Sequence, residues 1–457
     1  MRVRATMWGL AATVLMLAIV GLVLSPRGPS ADEWVDRALA KQKNKDFAGA
    51  IADYDRALTR KARHPIALTN RGEVRQIQGD LAGSIADYDQ ALEIDPKHGL
   101  AYMLRADVRR LKGEYEAAIA DYAKGFQNGV RYPEAYKNSG LLKQARNDVD
   151  GAIADYDNAL KFDAKSGVVH ALRAQQRQVK GDLEGAVADY ERAFEFGLRK
   201  AVVSYNSGLA RHAMGRYAAA ISDYDWALAL DPNYIAALGN RAVAKRDSGD
   251  FDGAISDYDR VIDLAPNSAV AYNSRGAVQQ ARGALAEARR DHDRAVEIDS
   301  KYALGYMDRG ILRYQQKDWA GALADFRRTL DLSGEDVDQV QICVWLARSR
   351  LGERAAADTD LKAFLAQRAA RVTPALADQV LAFLTGDLNE SGFIAIATSA
   401  EAAKDRSRAC AVWFFTGVRR LLAGDTTAAR EYFQKALAAD TPTSMEHWFA
   451  RSELGAL

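Results

Sequence analysis

Four asparagines recur along this 457-residue chain at multiples of 34 residues, and their side chains have the chemistry to hold a peptide backbone. They are Asn70, Asn138, Asn206 and Asn240. Six residues further along, the repeated position carries amides or guanidinium groups, namely Gln42, Gln76, Arg110, Gln144, Gln178, Arg246 and Gln280. Because a side-chain amide is both donor and acceptor, a row of amides can bind an extended peptide with little dependence on its sequence. An ordinary solvated surface is the alternative interpretation, and Leu104 and Leu172 interrupt the asparagine series.

Residues suited to catalysis or metal binding form no comparable pattern. The six histidines are dispersed, and no two lie at a metal-ligand spacing. The segment "RDHDRA" around His292 resembles a carboxylate-histidine relay, but this histidine occupies a repeated position that is otherwise mostly tyrosine, which favours a packing role. No Walker loop, GxSxG motif or dinucleotide-binding glycine motif occurs. We therefore predict no catalytic, cofactor-binding or metal-ligating residue, no cofactor, and a protein that is not an enzyme.

Composition excludes several classes of protein. The residues are 27% charged and 48% hydrophobic, which is not the composition of a disordered chain. With 62 basic and 61 acidic residues the chain has no excess positive charge, so nucleic acid is not an expected partner. Cys343 and Cys410 form no CxxC pattern, and we expect two buried thiols in preference to a bridge between them.

The spacing of 34 residues extends well beyond the amides. Nine equivalent positions, all but one of them aliphatic, follow one another at this spacing from about residue 31 to residue 336 without insertion. They are Ile51, Ile85, Ile119, Ile153, Val187, Ile221, Ile255, Arg289 and Leu323. Nine copies in register indicate one supersecondary unit that is stacked repeatedly. The sequence therefore predicts a solenoid.

Each copy reads as a helix, a turn, a second helix and a stop. The turns are short polar segments such as "QGD" or "SGD", and several copies end in "DP" or "AP". One position of the first helix is always small: Ala38, Gly72, Ala106, Gly140, Ala174, Gly208, Ala242, Gly276 and Gly310. One position of the second helix is aromatic or histidine: Tyr54, Tyr88, Tyr122, Tyr156, Tyr190, Tyr224, Tyr258, His292 and Phe326. Small residues permit close approach of two helices, and the aromatic ring fills the remaining space.

A helix-turn-helix unit of 34 residues with these small and aromatic positions resembles the tetratricopeptide repeat. The resemblance covers about two-thirds of the chain and is closest to bacterial repeat proteins of the membrane-anchored or exported type. It implies an all-α fold, an α-solenoid in which the units wind into a right-handed superhelix. It also implies a concave groove lined by the first helices, which would place the recurring amides where a peptide binds, as in the asparagine ladder of some repeat-bearing transferases.

Recurring charges depart from the family pattern. The eleventh position of the unit, usually aromatic, is basic in eight of nine copies, and the seventh is arginine in seven, for example Arg71 and Arg173. Every copy carries an aspartate before the aromatic position, as Asp189 does in the fifth copy. These aspartates either pair with the arginines in a ladder that joins neighbouring helices or form an acidic stripe for a cationic ligand. Equal recurrence of both charges favours the ladder.

The two ends of the chain differ from the repeats. Residues 1–30 contain an uncharged run of 22 residues between Arg4 and Arg27, long enough to cross a hydrocarbon core of roughly 30 Å. We expect a transmembrane anchor followed by a short linker, with a cleaved signal helix as the alternative. Residues 337–457 read as a degenerate helical region, with a final repeat near 410–443, that caps the array.

These observations predict a non-enzymatic scaffold that binds a protein or extended peptide in the groove. The body would lie in the periplasm on a single-pass N-terminal anchor, or be secreted there after signal cleavage, so the membrane is expected as a partner through residues 1–30. An exported binding protein for a cell-wall glycan and a regulatory subunit of a membrane-associated enzyme remain alternatives. Nothing in the sequence predicts the identity of the partner or the oligomeric state.

Overall fold

A computed structural model describes residues 28–333, 338–367, 375–399, 401–402, 405–439 and 444–457. All the regular secondary structure of these residues is α-helical, which confirms the predicted all-α class. The predicted anchor or signal at 1–30 lies almost wholly outside the described residues, which begin at Gly28. Of the helices that the structure describes, none is long and apolar enough to cross a membrane.

Up to residue 332 the chain forms eighteen helices of 13 or 14 residues each among the described residues. They are α1 Ala31–Lys43, α2 Phe47–Arg60, α3 Pro65–Ile77, α4 Leu81–Ile94, α5 Gly99–Leu111, α6 Tyr115–Gln127, α7 Pro133–Ala145, α8 Val149–Phe162, α9 Gly167–Lys180, α10 Leu183–Glu195, α11 Ala201–Ala213, α12 Tyr217–Leu230, α13 Ile235–Asp247, α14 Phe251–Leu264, α15 Ala269–Arg282, α16 Leu285–Ile298, α17 Ala303–Gln315 and α18 Trp319–Leu332.

The remaining helices are less uniform in length. They are α19 Asp338–Arg350, α20 Arg354–Gln367, α21 Leu376–Thr385, α22 Glu390–Ala397, α23 Arg406–Leu422, α24 Thr426–Ala438 and α25 Met445–Leu454. The helices divide into two compact units, one that ends at Leu198 and contains α1–α10, and one that begins at Arg199 and contains the others. The domain boundaries predicted from the repeats alone stay predictions.

Within each unit, every odd-numbered helix up to α17 packs closely against the helix that follows it. We call the odd-numbered helix of such a pair the first helix and its partner the second helix. The second helices often begin at an aspartate whose side chain accepts a hydrogen bond from a backbone N–H three residues later, as Asp46 does from Gly49 at 2.9 Å. This contact satisfies one of the donors that a helix start leaves unpaired.

The small and aromatic positions meet between the two helices of a pair. A Cβ atom built on Gly140 of α7 would lie only 2.6 Å from a ring carbon of Tyr156 on α8, so glycine permits the close packing there. The Tyr156 ring is fully buried, as are the rings of Tyr54, Tyr88, Tyr122, Tyr224 and Phe326. His292 is also fully buried at this position, in agreement with a packing role.

The C-terminal helices of the second unit share one core. Gly417 of α23 faces Phe433 of α24 at the same 2.6 Å spacing, which repeats the small and aromatic contact of the earlier pairs. The predicted final repeat extends to 443, and residues 440–443 lie outside the described part of the chain. Cys343 and Cys410 are both buried thiols that form no disulfide with each other, so the expectation of two buried thiols is confirmed.

Candidate functional site

Recurring arginines and aspartates form a ladder that joins consecutive helix pairs. The Nε and Nη2 atoms of Arg173 donate to the two carboxylate oxygens of Asp189 in its own pair, at 2.8 and 2.6 Å. Its Nη1 atom donates to Asp157 of the preceding pair, at 2.6 Å. The same three-way contact recurs at Arg71, Arg105, Arg241, Arg275 and Arg309. These aspartates are occupied by internal cations, which confirms the ladder interpretation of the recurring charges.

The ladder lowers the pKa of the buried Asp189. Burial by itself would raise the pKa of Asp189, but hydrogen bonds from Arg173 and His170 together with the nearby charges lower that pKa below its ordinary value. The fourth helix pair lacks the ladder arginine, but its aspartate still receives a hydrogen bond. Ser139 replaces the arginine and donates to Asp155 at 2.6 Å. The preceding pair has Ala123 at the position where an acid would otherwise receive the third contact.

Glutamines on the first helices are held by the buried tyrosines. The hydroxyl of Tyr156 donates to Oε1 of Gln144 at 2.9 Å, and burial raises the pKa of Tyr156, so the hydroxyl keeps its proton. Equivalent bonds join Tyr88 to Gln76 at 3.3 Å, Tyr190 to Gln178 at 3.2 Å and Tyr54 to Gln42 at 2.9 Å. An amide whose oxygen accepts in this way presents its NH2 group on the opposite side.

Three of these glutamines keep an unused donor. The Nε2 atoms of Gln76, Gln144 and Gln178 make no hydrogen bond to any residue that the structure describes, and the three side chains are half-buried. Arg110 holds the equivalent place on α5, with its Nε atom 3.9 Å from Asp107. Each of α3, α5, α7 and α9 thus carries a donor group at this position, although the Arg110 guanidinium also interacts with Asp107. We call Gln76, Arg110, Gln144 and Gln178 the donor row.

Asn138 is used differently from the glutamines. Its Nδ2 atom donates to Oδ1 of Asp107 at 3.2 Å, and the hydroxyl of Tyr122 donates to the same oxygen. Burial raises the pKa of Asp107 despite these hydrogen bonds. Burial raises the pKa of the Tyr54 hydroxyl, and the neighbouring Asn70 side chain opposes this rise. Both asparagines therefore support the packing of the first unit, and their side chains are less free for a ligand than the donor row.

The other three sequence candidates lie on α11 and α13 of the second unit. Asn240 donates to the hydroxyl of Tyr205 at 3.0 Å and to the carbonyl of Ala236 at 2.9 Å. Arg246 pairs with Asp247 at 2.8 Å. Asn206 is half-buried. The structure thus brings Asn70, Asn138 and the donor row together on the first helices of one unit, and it places Asn206, Asn240 and Arg246 in the other.

Exposed aliphatic side chains accompany the donor row, and the sequence analysis did not identify them. Ile77, Leu111 and Val179 directly follow members of the row and are 52%, 57% and 70% exposed. Ile66 and Val168 are also exposed, on the first turns of α3 and α9. The signal in the sequence was an apolar residue at the repeated position next to the glutamines. A face that combines donors with aliphatic side chains can contact both the carbonyl groups and the apolar side chains of a peptide.

Among the residues that the structure describes, no three His, Cys, Asp or Glu side chains cluster in a way that could hold a metal ion.

Comparisons with known proteins point to one kind of repeat. A family model described as tetratricopeptide repeat matches residues 35–98, 78–136, 205–269 and 240–303. No curated protein matches the chain. Among solved structures, the chain is similar to YrrB, a tetratricopeptide repeat protein with an unusual peptide-binding site, at 19% identity over 40% of this chain and 95% of that one, with a TM-score of 0.39.

Two further solved structures illustrate the range of similarity. MamA is 26% identical over 37% of this chain and 93% of its own, with a TM-score of 0.36. Yeast Tom70 is 18% identical over 93% of this chain and 95% of its own, with a TM-score of 0.40. The matched segments and the stacked helix pairs lead to one conclusion: residues 35–136 and 205–303 consist of tetratricopeptide repeats.

Proposed function

We propose that this protein is a non-enzymatic scaffold that binds an extended segment of a partner protein on the first helices of its first unit. Tetratricopeptide repeats typically mediate protein or peptide binding, and this property sets the class of the proposal. The single observation that carries it is the donor row, whose glutamine oxygens accept from tyrosine hydroxyls and whose glutamine NH2 groups bind no described residue.

Donors alone suit a ligand that offers acceptors at regular intervals. A peptide backbone does so through its carbonyl oxygens. Members of the donor row on successive first helices could therefore each receive a different carbonyl oxygen of one extended segment.

The aliphatic side chains beside the donor row favour a peptide over a glycan. A sugar ring is normally held by aromatic faces, whereas Ile77, Leu111 and Val179 are aliphatic and exposed. Burying such side chains against apolar side chains of a peptide contributes about 25 cal/mol for each Å² removed from water. We therefore expect the preferred peptides to carry Leu, Ile or Val at intervals.

We also propose that residues 1–30 tether the scaffold to a membrane with its body in the periplasm. The support is the uncharged run of 22 residues, preceded by Arg2 and Arg4. Fractionation of cells that express the full chain, followed by protease treatment of spheroplasts, tests this part of the proposal. Release of the protein from membranes by carbonate washing would contradict the tether. Protection of the body from protease added to spheroplasts would contradict its periplasmic location.

A peptide selection tests the binding proposal. The full chain is immobilised and exposed to a displayed library of random 12-residue peptides, beside a variant carrying Gln76→Glu and Gln144→Glu. Glutamate keeps an oxygen that can accept from Tyr88 and Tyr156, but it replaces the outward NH2 donor with a carboxylate oxygen. We expect apolar-rich peptides to be enriched by the wild-type chain and lost with the variant. Equal enrichment by both would refute the role of the donor row.

A further inference from the structure

The second unit contains a cavity at the place where its last helix packs against the repeats. The cavity has a volume of about 310 Å³. It is lined by first-helix residues of α15 and α17, by the start of α16 and by one face of α25: Gln280, Ala281, Gly283, Leu285, Gln315, His447, Trp448, Arg451 and Ser452. Gln280 belongs to the recurring amide series, which links the cavity to the repeated surface.

Helix α25 closes the first-helix face at α17. The Phe449 ring lies 4.1 Å from the Tyr314 ring, and Glu453 accepts from the Tyr314 hydroxyl at 3.1 Å. Ser452 donates to the carbonyl of Gln315 at 2.7 Å. Tyr314 stands at the position that carries glutamine in several other pairs, so α25 covers the site that a ligand would use there. Helix α25 thus forms one wall of the cavity and occupies the first-helix face beside it.

The polar groups around the cavity favour an anion. No aspartate or glutamate occurs among the lining residues that the structure describes. Arg451 is exposed and makes no ion pair with any described residue, whereas the nearby acid Glu453 is already held by Tyr314 and by Arg350 at 3.4 Å. The Oε1 atom of Gln315 accepts from Gln280 at 3.0 Å, which leaves the Gln315 NH2 group as a second donor.

The remaining lining residues are suited to an apolar group. Trp448 and Leu285 are half-buried and provide an indole face and an aliphatic side chain. A volume of about 310 Å³ is at the lower end of the range for ligand pockets, which is about 300–1,000 Å³, so it accommodates one residue and not a long segment. Trp448 and Arg451 are three residues apart on α25, so an apolar side chain and an adjacent carboxylate can be contacted together.

We propose that this cavity binds the C-terminal residue of a polypeptide, with its free carboxylate on Arg451 and Gln315 and its apolar side chain against Trp448. The site lies in the second unit and does not depend on the donor row of the first. A guanidinium and a carboxylate form a charge-assisted pair, which is stronger than the contact available to an uncharged terminal amide. Specificity for a chain end follows from the free carboxylate, which only the last residue of a polypeptide carries.

Calorimetric titration of the full chain tests the proposal with two synthetic probes. They are an acetylated tetrapeptide ending in leucine with a free carboxylate and the same peptide with a terminal amide. We expect the acid to bind at least tenfold more tightly. The variant Arg451→Gln should reduce this ratio to less than threefold, and the control Arg290→Gln, which alters an arginine that is 74% exposed on α16, should preserve it. Equal affinity for the acid and the amide would overturn the proposal.

N-acetyl-leucine distinguishes a chain end from a small carboxylate. It carries the same terminal group without the preceding peptide, and we expect it to bind at least tenfold more weakly than the tetrapeptide acid. Equal binding of the two would show that the cavity takes small carboxylates and would overturn the assignment to a polypeptide end. Thermal unfolding of both arginine variants checks that α25 remains packed. The donor row is tested separately, by substitution of residues in the first unit.

Discussion

Arg173 and Asp189 form a two-bond ion pair within one helix pair, while a third nitrogen of Arg173 reaches Asp157 of the pair before it. Each such arginine thus fixes the two helices of one repeat to each other and to the preceding repeat. Because planar guanidinium groups bind carboxylates in a fixed geometry, the ladder sets the register of the stack. Its repetition at six places within the described residues explains why acidic residues recur on both sides of the aromatic position of the second helices.

Removal of one ladder charge should destabilise the stack. We expect Asp189→Asn to lower the free energy of unfolding by about 1.5–3 kcal/mol, because the buried Arg173 would lose its two-bond carboxylate partner and keep only the contact to Asp157. Asp150→Asn is the matched control, since Asp150 is 79% exposed and pairs with an exposed lysine, and it should change stability by less than about 0.5 kcal/mol. Urea unfolding followed by circular dichroism measures both. Equal effects of the two substitutions would contradict a structural ladder.

The contact between small and aromatic positions should be equally specific. A Cβ on Gly208 would lie 2.6 Å from Tyr224, so Gly208→Ala should destabilise the chain by about 1–3 kcal/mol through overpacking. Gly239 lies on the next first helix with no atom within 4 Å of an added Cβ, so Gly239→Ala should stabilise it by up to about 1 kcal/mol. Thermal unfolding of the two variants provides the comparison. Stabilisation by both would show that helix propensity alone governs these positions.

Asp308 should make stability depend on pH in the mildly acidic range. Burial raises the pKa of Asp308 to about 6, although a hydrogen bond from Asn273 opposes the shift. The folded chain therefore keeps a proton on Asp308 between pH 4 and 6 that the unfolded chain releases, so the free energy of unfolding falls as pH rises through this window. The difference between wild type and Asp308→Asn isolates this group. A difference that does not change from pH 4 to 7 would exclude the titration of Asp308.

Much of the repeat framework could be predicted from the sequence because packing repeats its residue types. The positions of Gly140 and Tyr156 follow from periodicity, and the pairing of Arg173 with Asp189 follows from equal recurrence of the two charges. The role of Gln144 could not be read in this way. Its bond to Tyr156 crosses the turn between two helices, and only the fold shows that the tyrosine hydroxyl directs the amide.

Contacts between distant segments were also beyond the sequence. Tyr314 and Glu453 are 139 residues apart, and no periodic pattern relates them. The interruption of the asparagine series at Leu104 has a simple physical cause, because this leucine is buried in the core of the first unit. Asn138 and Asn240 were expected to face a ligand, yet both donate hydrogen bonds within the protein.

The most direct test of the account measures how tightly a peptide recovered by selection binds in calorimetry. The variant Gln76→Glu with Gln144→Glu is compared with a control that adds the same two charges on exposed residues of second helices, Gln90→Glu with Gln127→Glu. Loss of two hydrogen bonds at about 1 kcal/mol each predicts affinity weakened about 30-fold by the first variant and unchanged by the control. Equal affinity of both variants and the wild-type chain would contradict peptide binding by the donor row.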